Sequence, residues 1–320
     1  MDQQNNKTFY KGISLFIKWV ILISSLYYIW DKLSNAELHV TNFPDLNLNT
    51  VFLSSSIFLL MFVNWGLEAF KWQLLIAPLE KITFLASLRS VFAGVTVSIF
   101  TPNRVGEFAG RVFVLQKADK IKASLMSLMG SLIQLVVTVL TGILAYYILE
   151  SKYYDYFQTE QFFSTHYLLL FIVLLFIMLG GILFFLAKKG DSFPWFKKYV
   201  DVINTLSKKK LELVFYISCL RYIVFSTQYF LTLKLFGITG GTTIILSLIS
   251  LTFLVTSAIP TFALTEITVR TGTAIYFFGT ISVDHSAIIA SSLFLWIINL
   301  AMPALIGAGV VWKMKFFKTE

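Results

Sequence analysis

The sequence predicts an all-α polytopic membrane protein of six spanning helices and two re-entrant helical hairpins, arranged as an inverted repeat. Three observations predict it. Of 320 residues, 57% are hydrophobic and 13% charged, against the roughly 25% charge usual in a soluble domain. Uninterrupted apolar runs, such as 168–187 and 293–311, approach or reach the ~18 to 20 residues that a helix needs to cross the hydrocarbon core. Lys and Arg fall in short segments between these runs and favour one side of the membrane.

Spans are expected at 13–30, 51–70, 123–149, 167–187, 212–236 and 286–312. The first follows Lys7 and Lys11 but exceeds the about 7 to 15 residues of a signal-peptide core, and no small-x-small site follows it, so it is read as a retained helix. Two further stretches, 88–116 and 243–280, are each interrupted by a proline followed by polar and ionisable residues. With the N-terminus inside, eighteen basic residues, among them Lys7, Lys71, Lys81, Arg89 and Lys117, lie on the cytoplasmic side, and two, Lys32 and Lys152, lie outside. That bias sets both termini in the cytoplasm.

The orientation dictates the hairpins. Arg89 and the Lys117 to Lys122 segment then share a side, so 88–116 must enter and return. Its arms, 90–100 and 105–116, hold about a dozen residues each, and at 1.5 Å per residue each reaches about halfway across the core. By the same count 243–280 enters from the outer side. Residues 1–150 and 151–320 therefore both read span, span, hairpin, span, the second half inverted. Glu107 and Glu266, 159 positions apart, are its matching points. Inverted repeats with broken helices meeting near the midplane recur in transporters. Between the halves, the aromatic and basic 193–210 stretch is read as lying along the anionic inner leaflet.

The ionisable residues at membrane depth carry the chemistry. One hairpin reads Thr101-Pro102-Asn103-Arg104-Val105-Gly106-Glu107, with Arg111 four residues on; the other has Pro260, then Glu266, with Arg270 four residues on. Pro102, Gly106 and Pro260 are the expected breaks. Spacing i, i+4 puts each Glu and Arg on one helical face, and a lone charge at this depth costs about 2.5 to 3.5 kcal/mol on insertion scales. A single pair could merely stabilise a kinked helix; two at equivalent places argue for a site. Amides of the returning half-helices, with Arg104, Arg111 and Arg270, would suit a phosphate. Glu68 and Arg221 are further candidates. Asn64 shares a helical face with Glu68, while Gln134 and Asn299 are read as joining helices. Lys18 and Lys234 lie near span ends and are expected to snorkel.

Other chemistries find no support. Cys219 is the single cysteine, His39, His166 and His285 lack metal-ligand spacing, and no glycine-rich nucleotide loop occurs. Neither metal nor cofactor is expected. The net charge of +9 reports topology rather than nucleic acid, and a longest loop of about 24 residues is too short for a catalytic domain.

Thr101-Pro102-Asn103-Arg104-Val105-Gly106-Glu107 resembles the proline, glycine and glutamate signature of the lysylphosphatidylglycerol synthase transmembrane region, a flippase-like family. The 64–75 segment, with Trp65 and Trp72 around Lys71, resembles that family's second span. The second hairpin departs from the signature, because Thr261, Phe262, Ala263 and Leu264 replace its glycines. The resemblance implies movement of lipids between leaflets, in the inner cell membrane of a prokaryote. The family's soluble aminoacyl-transfer domain is missing, so the chain is not expected to be an enzyme; a separate lipid-modifying enzyme could feed it. The leading expectation is a flippase or transporter of an anionic or lipid-linked substrate. Alternatives are an integral membrane enzyme on a lipid-linked substrate, with Glu107 or Glu266 as general base, and an accessory subunit.

Overall fold

The computed structural model describes residues 45, 47–101, 104–153, 205–259 and 263–313, and these form helices and connecting turns with no strand among them. In order they are α1 (Leu48–Ile76), α2 (Phe84–Ser98), α3 (Gly106–Val112), α4 (Lys120–Tyr153), α5 (Lys208–Leu235), α6 (Thr242–Ala258), α7 (Ala263–Phe278), α8 (His285–Trp296) and α9 (Met302–Lys313), with a π-helical turn, Ile297–Ala301, joining the last two. Starts follow from capping side chains. Asn47, Thr83, Ser207 and Asp284 each accept a backbone N–H from the first turn of α1, α2, α5 and α8, which satisfies a donor that has no partner inside the helix. The π turn precedes Pro303, which cannot donate to the carbonyl of Asn299; the Met302 N–H bonds to Ile297 instead, and the ladder widens.

Among the described residues, four helical stretches are long and apolar enough to cross a membrane: Leu48–Ile76, Lys120–Ser151, Lys208–Leu235 and His285–Trp312. They contain the spans expected at 51–70, 123–149 and 286–312 and all but the last residue of 212–236. The expected spans at 13–30 and 167–187 lie outside the described residues, as do Pro102 and Pro260. The outer faces of α1 and α4 expose Phe52, Leu59 and Phe62, and Leu140, Leu144 and Tyr147, a surface suited to lipid chains rather than water.

α1 and α5 pack antiparallel, with Gln228 Nε2 donating to Ile57 O at 3.0 Å near one end and Arg221 Nε donating to Asn64 Oδ1 at 2.9 Å nearer the other. α2 and α3 fold back on each other as a hairpin. Gly110 lies so close that a Cβ there would sit 2.7 Å from both Ala93 O and Gly94 Cα, and Ser90 Oγ donates to Arg111 O at 2.6 Å. The arms are unequal: the first begins at Phe84 rather than near residue 90, and the returning helix has 7 residues rather than about a dozen. α6 and α7 form the second pair of arms, with 17 and 16 residues.

Two further contacts join distant parts of the chain. α4 lies on α6, where Gly142 meets Leu254, and α9 lies on α2, where Gly307 meets Phe92 and Thr96 Oγ1 donates to Ala304 O at 2.7 Å. One core gathers Trp65, Trp72, Val95 and Ala304; a second gathers Tyr229, Leu251, Phe277 and Leu295.

Candidate functional site

Glu68 of α1 is the centre of a buried charge cluster. Its Oε1 takes Arg111 Nη2 at 2.7 Å, while Oε2 faces both Lys71 Nζ and Arg221 Nη1 at 2.7 Å. Arg111 also pairs with Glu107, one turn earlier on α3. Local structure sets these positions. Gly94 leaves room for the Arg111 stem, which a Cβ would meet at 2.8 Å. The guanidinium then lies over the Trp72 ring at 5.7 Å, and Trp72 Nε1 donates to Ser90 Oγ at 2.9 Å, tying α1 to the hairpin. Arg221 lies over Trp65 at 5.8 Å.

Lys71 corrects an expectation. Counted in the sequence among cytoplasmic loop charges, it lies inside α1, 1% exposed, where desolvating an ammonium is tolerable only beside a carboxylate. The signal was present in its i, i+3 spacing from Glu68. Arg89 likewise belongs to α2 rather than to the segment before it, with its side chain exposed.

The second cluster joins the two hairpins. Arg104, just before α3, pairs with Glu266 of α7, and Arg270 reaches the same Oε1 at 3.2 Å. Arg104 has φ 56°, the sole positive φ outside glycine among the described residues. A side chain in that region costs about 1 to 2 kcal/mol, and such strain persists where the surroundings impose it, often at functional sites. Arg104 and Arg270, expected to suit a phosphate, both hold Glu266 in the structure, and the Gly106 N–H at the start of the returning half-helix donates to Thr101 Oγ1 at 2.7 Å.

Beside this cluster is a cavity of about 670 Å³. Arg104, Arg221, Arg270 and Glu266 supply its charge, and Trp65, Tyr222, Phe225 and Phe253 part of its wall. Phe225 and Phe253 stack with centroids 4.9 Å apart. Of the residues expected to bind substrate, Arg104, Arg221, Glu266 and Arg270 line the cavity, whereas the buried Glu68 and Arg111 and the half-buried Glu107 form the other cluster, which Arg221 joins. Gln134 and Asn299 do join helices, Gln134 Nε2 to Ser218 O at 3.2 Å and Asn299 Nδ2 to Gln228 Oε1 at 3.0 Å, and both also line the cavity. The aromatic wall was not foreseen, because Tyr222, Phe225 and Phe253 read as ordinary span residues until α5 and α6 are packed.

Arginine stays charged under all ordinary conditions. Among the described residues, three guanidiniums from the α2–α3 turn, α5 and α7 line one space, Arg104 and Arg270 sharing Glu266 and Arg221 reaching back to Glu68, and the positive excess favours an anion. A family model described as Lysylphosphatidylglycerol synthase TM region matches residues 15–315. No curated protein and no solved structure matches the chain.

Proposed function

The chain belongs to the lysylphosphatidylglycerol synthase TM region family, and from that premise we propose that it is an integral membrane lipid flippase or transporter, moving an anionic or lipid-linked substrate whose phosphate is held by Arg104, Arg221 and Arg270. The observation that carries this reading is the convergence of those three side chains on one cavity at the meeting of the two halves. Its aromatic wall offers apolar contact beside the charges, which suits an amphiphile.

The proposed architecture is six spans and two re-entrant hairpins in an inverted repeat, with both termini cytoplasmic. Support comes from the reciprocal contacts of α4 with α6 and α9 with α2, and from the antiparallel packing of α1 on α5, the corresponding helices of the two halves. A pseudo-two-fold axis in the membrane plane produces that pattern.

Glu266 gives the proposal a mechanism. Its carboxylate occupies the place on Arg104 and Arg270 that a phosphate would take. Exchange of one charge-assisted pair for another, each worth about 1.5 to 3 kcal/mol, leaves a small net free-energy change. Loss of the Arg104 to Glu266 contact would free the two hairpins to move apart, and its return would expel the head group. Glu107 and Glu266 are both engaged by guanidiniums, which favours transport over use of either as a general base. Membrane lipids are the proposed partners, with a separate lipid-modifying enzyme as a possible supplier.

The test is leaflet exchange of fluorescent phospholipids in proteoliposomes. Arg104→Ala and Arg270→Gln each leave Glu266 with one guanidinium, so both variants are expected to fold. Exchange should fall by about tenfold or more, the loss of one charged hydrogen bond. Exchange that falls only in proportion to folded protein, or stays at the wild-type rate, would make these arginines structural.

A further inference from the structure

We infer that Lys71 is a positioning residue for the translocator proposed above: it lets Arg221 leave Glu68 for a phosphate in the cavity without stranding a buried carboxylate. The inference rests on that reading and adds to it a route by which occupancy of the cavity reaches the first hairpin.

Arg221 belongs to both polar groups. It lines the cavity, its side chain 21% exposed, yet its Nη1 lies 2.7 Å from Glu68 Oε2 and its Nε donates to Asn64 Oδ1 at 2.9 Å. Glu68 and Lys71 are enclosed, their side chains 4% and 1% exposed. An anion in the cavity therefore meets Arg221 directly and the other two only through it. A guanidinium that turns to a phosphate gives up part of its hold on Glu68, and a buried carboxylate that loses its partner destabilises the fold.

The charges of the cluster show what compensates. Ion pairs join Glu68, Glu107, Lys71, Arg111 and Arg221, three positive groups with two negative. Withdrawal of Arg221 leaves two of each, so Arg221 is the surplus cation; without Lys71, Arg221 is needed for neutrality. The geometry agrees. Lys71 Nζ already lies 2.7 Å from the Oε2 that Arg221 would vacate, and Arg111 holds Oε1 at 2.7 Å. Lys71 is placed by α1 and α4, where its Nζ donates to Gly130 O at 3.4 Å, so its position does not depend on Arg221. Nor does release part α1 from α5, which Gln228 Nε2 and Ile57 O still join at 3.0 Å. The change passes instead to Arg111, which shares Glu68 and whose carbonyl accepts from Ser90 across the hairpin.

The experiment titrates dioctanoyl phosphatidylglycerol into the detergent-solubilised full chain by calorimetry, with thermal unfolding recorded for each variant. Lys71→Met should bind about tenfold more weakly than wild type, because a smaller fraction of molecules has Arg221 released, at a melting temperature near that of wild type. Adding Glu107→Gln to Lys71→Met makes Arg221 the surplus cation again, and the double variant should regain most of the lost affinity. A lysine that only supported the fold could not be replaced by the loss of a carboxylate. Equal affinity in wild type and Lys71→Met, a double variant that binds no more tightly than Lys71→Met, or a Lys71→Met chain that unfolds would overturn the positioning role while leaving the translocator reading in place. No binding by the wild-type chain would overturn both.

Discussion

Glu68 is the one carboxylate facing Lys71, Arg111 and Arg221 together, so substitutions around it are expected to be unequal. Glu68→Gln strands three cations with Glu107 alone, and breaking a buried pair in this way costs about 3 to 5 kcal/mol. Lys71→Met leaves Glu68 with two guanidiniums and removes an ammonium that must be desolvated. Thermal unfolding in detergent should therefore show severe loss for Glu68→Gln and a shift near zero for Lys71→Met; equal losses would deny Glu68 its central place. Arg104 permits a second comparison. Arg104→Gly and Arg104→Ala both delete the guanidinium, but only alanine keeps a Cβ at φ 56°. The glycine variant should be the more stable by about 1 kcal/mol, with exchange lost in both; an alanine variant equal to it in stability would mean that the backbone relaxes there. The Glu107 with Arg111 and Glu266 with Arg270 pairs could be read from the sequence because i, i+4 spacing is local. Arg104 with Glu266, and Glu68 with Arg111 and Arg221, join residues brought together only by packing, and no spacing rule announces them.

Hydropathy identified the long helices because lipid imposes the same requirement on every span; the ends of the shorter ones depend on particular contacts. The returning arm α3 is short since the residues after Leu115 are held by the segment between α1 and α2. Glu80, between α1 and α2, accepts the N–H groups of Gln116, Lys117 and Ala118 at 3.1, 2.7 and 2.9 Å. Partial burial pushes its carboxyl up, but these donors outweigh that effect and hold it below the ordinary value. A carboxyl depressed in the folded state stabilises it at neutral pH, and that contribution is lost as pH falls below about 4.3 and through the folded-state value. Hydrogen exchange at these three amides, corrected for intrinsic rate, should be slow at neutral pH and faster in acid, and Glu80→Gln should resemble the acid form at neutral pH. Unchanged protection in the variant would show that the clamp contributes nothing. Close approach sets the other contacts. Gly307→Ala would drive a Cβ into the Phe92 carbonyl oxygen, and the forced separation of α9 from α2 should cost about 1 to 3 kcal/mol. A wild-type melting temperature would contradict that packing.

At the scale of the whole molecule, the antiparallel α1 and α5 place Asn47 and Ser207, the exposed caps of their first turns, at opposite ends. Single cysteines there, in a background without Cys219, should label from opposite sides of intact cells, Asn47 from outside. Labelling from the same side would remove the inverted arrangement. The proposed two-fold pattern rests in part on the sequence, where Glu107 and Glu266 lie 159 positions apart. The cavity was not legible there, because it exists only where two distant segments and α5 converge. The most direct measurement is an experimental density map of the protein in phosphatidylglycerol-containing nanodiscs. The account predicts a head-group phosphate within about 3 Å of guanidinium nitrogens of Arg104, Arg221 and Arg270, with Glu266 displaced from Arg104. A lipid-saturated sample in which Glu266 still holds both arginines, and head groups lie only at the outer surface, would contradict it.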